Sequence, residues 1–285
     1  MLWLGIAALV YVGVLLWIAW RSLHPFRIPI FLSPGVFGAP QENVEFQTEE
    51  GHWLRGWWVQ GSHHDKAVLV FCHGYMMNRA ELAAVAYAFW QRGRSSLLFD
   101  FRCMGRSGGT RSGLGWYERC DVAAACAYVR HRMPGAKVVL VGSSMGSAAS
   151  AFAMADDPDL AEALVLDSCY GSLPSAVQGW WRFLGGRLLA LLLGPSVLIA
   201  APLAGFNPFR TKVSRALARV ERPVLVLHGT ADDLALPREA RSNHAALSDS
   251  PEIVWFERCG HTEGRWVQPD RYLNSIETFL EERGL

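Results

Sequence analysis

The pentapeptide Gly142-Ser143-Ser144-Met145-Gly146 sets a serine between two glycines. It follows the apolar run Val138 to Val141 and leads into the small residues Ser147-Ala148-Ala149. A strand, a tight turn and a helix in that order lift the serine oxygen to the C-terminal edge of a sheet. The next backbone N–H, that of Met145, then faces a developing oxyanion at a helix N-terminus. The flanking glycines let strand and helix approach closely. A dinucleotide loop of the form Gly-x-Gly-x-x-Gly is excluded, because Ser144 and Ser147 occupy its second and third glycine places.

A serine at neutral pH needs a base, and the base needs a carboxylate to orient it. After the run Val224 to Leu227 comes His228-Gly229-Thr230-Ala231-Asp232-Asp233, and after Ile253 to Phe256 comes Glu257-Arg258-Cys259-Gly260-His261. An acid and a histidine thus each follow a late strand, in the chain order serine, acid, histidine. Counting from His228-Gly229 favours Asp232, and counting back from Pro237 favours Asp233. A strand end fixes geometry more firmly than the next helix start, so Asp232 is the expected acid and His261 the expected base. Upstream, His73-Gly74-Tyr75 closes the run Ala67 to Cys72. The N–H of Tyr75 is the expected second oxyanion donor. The nine histidines show no metal-ligand spacing, and no cofactor is implied.

These residues need a scaffold that gathers strand ends on one edge. After two segments at 44–47 and 53–59, short apolar runs (67–72, 96–101, 137–141, 163–167, 224–227, 253–256) alternate with helical stretches, notably Arg79 to Arg92, Glu118 to Arg132 and about Asp270 to Glu282. Fully apolar strands separated by helices imply a mostly parallel α/β sheet with helices on both faces. Glu50-Gly51 between the first two segments signals an entry hairpin. The domain is expected over 44–285, with a hydrophobic cap inserted at about 172–212, where Trp180 to Phe206 is intensely apolar and broken by Gly185-Gly186, Gly194-Pro195 and Pro202.

Residues 1–20 read differently. Leu2 to Trp20 carries no charge and no proline, has tryptophans near both ends, and is followed at once by Arg21. As a helix it would reach about 28 Å, close to a bilayer core. A cleaved signal peptide fits poorly, since no basic segment precedes it and no small-x-small site precedes Arg21. A single transmembrane anchor is expected, remote from the catalytic residues, with the domain on the cytoplasmic side of Arg21 and Arg27. Residues 21–43, with Pro25, Pro29, Pro34 and Pro40, read as a semi-extended tether.

The 27 Lys and Arg nearly balance 26 Asp and Glu, so no field draws in nucleic acid. The six cysteines form no Cys-x-x-Cys pair and are expected as free thiols.

Together these residues resemble the α/β-hydrolase superfamily over nearly all of Val44 to Gly284, in particular its serine hydrolases and serine aminopeptidase-like lipases. His73-Gly74-Tyr75 looks like their oxyanion segment. Asp100-Phe101-Arg102-Cys103-Met104-Gly105-Arg106-Ser107-Gly108 is similar to a segment in which glycine is usual where Cys103 stands. An extra residue between Asp232 and Pro237 departs from the pattern and bears on the choice of acid. The resemblance implies ester or thioester hydrolysis through an acyl-enzyme. The anchor and cap point to a small-molecule or lipidic acyl substrate. The rival readings are a peptidase of the same fold and a catalytically silent interaction protein.

Overall fold

The computed structural model describes residues 1–63, 66–248 and 251–285. Eight strands form one sheet: β1 (Gln41–Gln47), β2 (Trp53–Val59), β3 (Val68–Cys72), β4 (Ser96–Phe99), β5 (Val138–Ser143), β6 (Ala163–Asp167), β7 (Val224–Gly229) and β8 (Val254–Phe256). Their order is β1-β2-β4-β3-β5-β6-β7-β8. The first two form the expected hairpin, Gln47 opposite Trp53, with Gly51 in the left-handed conformation at its turn. β2 joins β4 antiparallel, and every later pairing is parallel.

Among the described residues the α-helices are, in chain order, α1 (Leu2–Leu23), α2 (Ala83–Gln91), α3 (Glu118–Arg132), α4 (Met145–Asp156), α5 (Leu173–Leu193), α6 (Ser196–Ala204), α7 (Val213–Leu217), α8 (Pro237–His244), α9 (Gly264–Val267) and α10 (Pro269–Glu281). β3, β4, β5, β6 and β7 are buried along their length, because two apolar layers cover the two faces. Side chains alternate across a strand, so Val68, Val70, Leu140, Leu164 and Val226 join one core, and Leu69, Phe71, Val141, Val165 and Leu227 the other. α3 and α4 contribute to the first layer, and α2 and α10 to the second.

The cap lies between β6 and β7. α5 starts with a capping box at Ser172 and Ser175, bends at Gly185-Gly186, and meets α6 after a turn of 78°. Phe183, Leu184, Leu188, Leu191, Leu198 and Leu203 stay exposed on it.

The N-terminal segment differs from a free anchor on a loose tether. α1 is long and apolar enough to cross a membrane, and residues 1–14 are exposed. Its second half, however, is packed: Leu15, Ile18, Ala19 and Leu23 are buried, with α6 against the helix. The prolines that follow do not hold the chain away from the domain, because polar groups bind it down. Arg27 donates to the carbonyls of Met104, Gly105, Ser107 and Gly109, and Asn78 donates to those of Ile28 and Pro29. The expected separation from the candidate site residues gives way to contact, since the Tyr75 hydroxyl donates to the Ser22 carbonyl at 2.9 Å.

Removing residues 1–14 should leave the fold intact in nonionic detergent. Removing residues 1–23 should not. Leu15, Ile18 and Leu23 each contribute roughly 1.5–3 kcal/mol of burial, which corresponds to a drop in Tm of about 10 °C or more in a domain of this size. Thermal unfolding of the two truncations checks this; equal midpoints would show that the packed half contributes nothing.

Candidate active site

The elbow is built by collision avoidance. Between β5 and α4 the chain passes through Ser144 at φ 50°, ψ −109°, a conformation that costs a non-glycine residue about 1–3 kcal/mol. The neighbours enforce it. A Cβ on Gly146 would strike the Cys72 carbonyl, and one on Gly142 would strike the backbone of Ser147. The Ser144 N–H donates to the Asp167 carbonyl at 2.8 Å, which ties the turn to β6.

Two loops from the neighbouring strand ends meet the serine. His261 Nε2 lies 2.8 Å from Ser144 Oγ, and its Nδ1 lies 2.8 Å from Asp232 Oδ2. Asp232 is buried, and its other oxygen accepts the N–H groups of Leu234 (2.9 Å) and Ala235 (2.8 Å). A carboxylate held this way accepts a hydrogen bond from the proton carried on Nδ1 and leaves Nε2 as an acceptor for the serine hydroxyl. Gly229 permits the meeting, since a Cβ there would strike the carbonyls of Cys259 and Gly260. Asp233, the other candidate, is exposed, and its carbonyl accepts from Arg182 Nε at 2.7 Å. His228 was unassigned by the sequence pattern. It is buried and donates through Nε2 to the Ala235 carbonyl at 2.8 Å, bracing the acid loop. Burial holds its pKa below the ordinary imidazole value.

His73 orients the oxyanion segment. The Phe101 N–H donates to Nε2 at 3.0 Å, so the ring proton sits on Nδ1 and is donated to the Gly74 carbonyl at 2.7 Å. Burial keeps this ring neutral by depressing its pKa, against the pull of Asp100. The Gly74 carbonyl and the Tyr75 N–H belong to one planar trans peptide and point opposite ways. Pulling the carbonyl to His73 therefore turns the Tyr75 N–H outward. Among the described residues no acceptor takes the N–H of Tyr75 or Met145. Both residues border a cavity of about 620 Å³ that also exposes Ser144 and His261.

A buried charge cluster lies behind these loops, and the sequence pattern did not indicate it. Glu81 accepts the Gly74 N–H (2.6 Å) on one oxygen, and the Ser143 hydroxyl (2.8 Å) and Arg265 Nη2 (2.6 Å) on the other. Arg265 Nη1 donates to Ser143 Oγ at 2.9 Å and stands 3.5 Å from Asp167. Asp167 also accepts from the hydroxyls of Ser168 and Tyr272, and Ser168 accepts the Thr262 N–H. One cluster thus touches the oxyanion segment, the residue before Ser144 and the residue after His261. Burial raises the Glu81 pKa, but Arg265 and the Gly74 N–H outweigh it and hold the carboxyl below its ordinary range. Burial lifts Asp167, with Arg265 opposing. No local sequence pattern links these residues, which lie far apart along the chain.

Residues 63–201 match the family model described as Serine aminopeptidase, S33. Rv2307c of Mycobacterium tuberculosis is 28% identical over 284 residues, covering 98% of this chain and 94% of that protein. The α/β hydrolase domain-containing protein WAV2 of Arabidopsis thaliana is 23% identical, covering 90% of this chain and 85% of its own. Among solved structures, the Pyrococcus furiosus esterase Pf2001 superposes with a TM-score of 0.74 at 22% identity, covering 92% of this chain and 98% of that one. It shares the fold.

Arg265→Met should destabilise the protein by about 3–5 kcal/mol, the typical cost of leaving a buried charge without its partner. Adding Glu81→Gln should recover part of that loss, because the stranded carboxylate is gone. Denaturant unfolding of both single variants and the double variant tests the coupling; strictly additive losses would show that the two residues do not act together.

Proposed function

We propose that this chain, which belongs to the α/β-hydrolase superfamily, is a membrane-anchored serine hydrolase. It cleaves carboxylic ester or thioester bonds of lipidic acyl substrates through an acyl-enzyme. The carrying observation is the continuous relay from Ser144 Oγ through His261 to Asp232, with both links at 2.8 Å and the serine end opening into the cavity.

In this reading Ser144 Oγ attacks the acyl carbon while its proton passes to His261 Nε2. The N–H groups of Tyr75 and Met145 hold the oxyanion, and Asp232 stabilises the imidazolium through Nδ1–H. Collapse expels the alcohol or thiol, which takes the proton from Nε2. Water, deprotonated by the same nitrogen, then releases the acid and restores the serine.

A lipidic substrate is favoured by the walls. Trp17 and Ile18 of α1 face the cavity along with Trp180, Trp181 and Phe183 of α5. Peptidase action at a free amino terminus would want an available carboxylate. Glu81 is the carboxylate bordering the cavity among the described residues, and Gly74, Ser143 and Arg265 already occupy it. The anchor is α1, with the domain on the cytoplasmic side by the positive-inside rule.

A fluorophosphonate should label the wild-type chain and leave Ser144→Ala unlabelled. Removing the nucleophile should lower hydrolysis of a short p-nitrophenyl ester by several orders of magnitude. Labelling that persists in a folded Ser144→Ala protein would refute the assignment.

Asp232→Asn should lower kcat about ten-thousandfold by allowing the wrong imidazole tautomer, whereas Asp233→Asn should stay close to wild type. The reverse ranking would transfer the acid's role to Asp233.

A further inference from the structure

The cavity wall holds a cation that the hydrolytic relay does not use. Arg21 borders the same space as Ser144 and His261, one turn along α1 from Trp17. None of its side-chain nitrogens has a hydrogen-bond partner, and it forms no ion pair among the described residues; its Nε is buried and unsatisfied. The other guanidiniums nearby are consumed. Arg265 is held by Glu81 and Asp167, and Arg27 by four backbone carbonyls.

Arg21 is not spent on capping its own helix either. The carbonyls of Trp20 and Arg21 accept the His24 N–H, that of Ser22 accepts the Tyr75 hydroxyl at 2.9 Å, and that of Leu23 accepts the Ser112 N–H at 2.8 Å. The negative end of α1 is therefore satisfied by other donors. The guanidinium is instead fixed by aromatic faces, 3.6 Å from the Phe26 ring centre and 5.5 Å from that of Trp20. Stacking of this kind leaves the planar fork of N–H groups free for a bidentate anion.

We propose that Arg21 forms an anion subsite of this cavity, which takes the phosphate or carboxylate of an acyl amphiphile while its ester lies at Ser144. This rests on the hydrolase reading above and narrows its substrate class to anionic lipids. Placement agrees with it. Arg21 stands in the last turn of a helix long enough to span a bilayer, and lipid headgroups lie at that level. The acyl chain would run along the indoles of Trp180 and Trp181.

The test separates anion binding from turnover. Full-length protein carrying Ser144→Ala is titrated in nonionic detergent with dodecyl phosphate, with dodecanol and with inorganic phosphate alone, followed by calorimetry. Dodecyl phosphate should bind about tenfold or more tighter than dodecanol, as a charge-assisted hydrogen bond predicts, and added salt should weaken that preference. Arg21→Met should abolish the preference, and Arg21→Lys should keep only part of it, since lysine supplies the charge without the stacked bidentate fork. Equal affinity for the two amphiphiles in the Arg21-containing protein would overturn the subsite without need of any Arg21 variant. So would inorganic phosphate binding as tightly as dodecyl phosphate, which would mark a free-anion site. An unchanged preference in Arg21→Met, even with weaker membrane association, would assign Arg21 to anchoring alone. Failure of the hydrolase reading would show elsewhere, as wild-type protein that no fluorophosphonate labels.

Discussion

The backbone of Ser144 is the constraint on which the rest of this structure depends. A serine held at φ 50° persists only if its surroundings leave no alternative. Those surroundings explain otherwise scattered choices. Gly142 and Gly146 have no room for a Cβ, Ser147 donates to the Asp167 carbonyl, and α4 begins with a run of small residues pressed into the sheet. Once the elbow is fixed, β6, β7 and β8 stand in parallel register beside it, so the loops carrying Asp232 and His261 emerge on its side of the sheet.

Position alone does not hold those loops. Each leaves its strand at a point where backbone meets backbone, as Gly229 shows against Cys259 and Gly260. Buried polar groups then set their orientation. His73 and His228 perform the same task on opposite sides of Ser144. Each is a buried neutral imidazole that fixes one loop carbonyl. Glu81, Arg265 and Asp167 join the remaining sides. Such a cluster adds little net stability over an apolar core, because desolvating three charges is costly. Its directional bonds instead fix the relative positions of three loops, which apolar packing specifies less sharply.

Much of this was legible in the sequence. The five central strands β3 to β7 coincide with short apolar runs, since strands buried on both faces leave a continuous signal, while β1 was marked by the hairpin turn at Glu50-Gly51. The serine, acid and histidine follow strand ends, and the strand-end count selects the aspartate that meets His261. The charge cluster was not legible. Glu81, Asp167 and Arg265 lie far apart along the chain on different elements and form no local pattern. His73 was read for its place at a strand end, while the work of its ring depends on the Phe101 N–H from another strand. The N-terminal helix was read by composition, which reports length and apolarity but cannot tell which face meets protein.

That face bears on how the molecule would sit in a membrane. Residues 1–14 form the unbroken exposed stretch at the start of the chain, and at about 1.5 Å per residue they extend roughly 21 Å. A bilayer core is about 30 Å thick. If α1 crosses it, the packed second half must also enter the hydrocarbon edge, together with whatever covers it. What covers it is α6, beside α5, and Tyr11 donates to the Leu192 carbonyl across the same junction. The exposed leucines at 188, 191, 198 and 203 would then face acyl chains, not water, which removes the cost of exposing them. Gly179 of α5 touches the Leu234 carbonyl so closely that no Cβ fits between, and Arg182 bonds to the carbonyls of Asp233 and Leu234. The element that would lie in lipid is therefore fastened directly to the loop that carries Asp232. On the proposed function, anchoring and chemistry would share one set of contacts, and the depth of the cap in a membrane would set where the cavity opens.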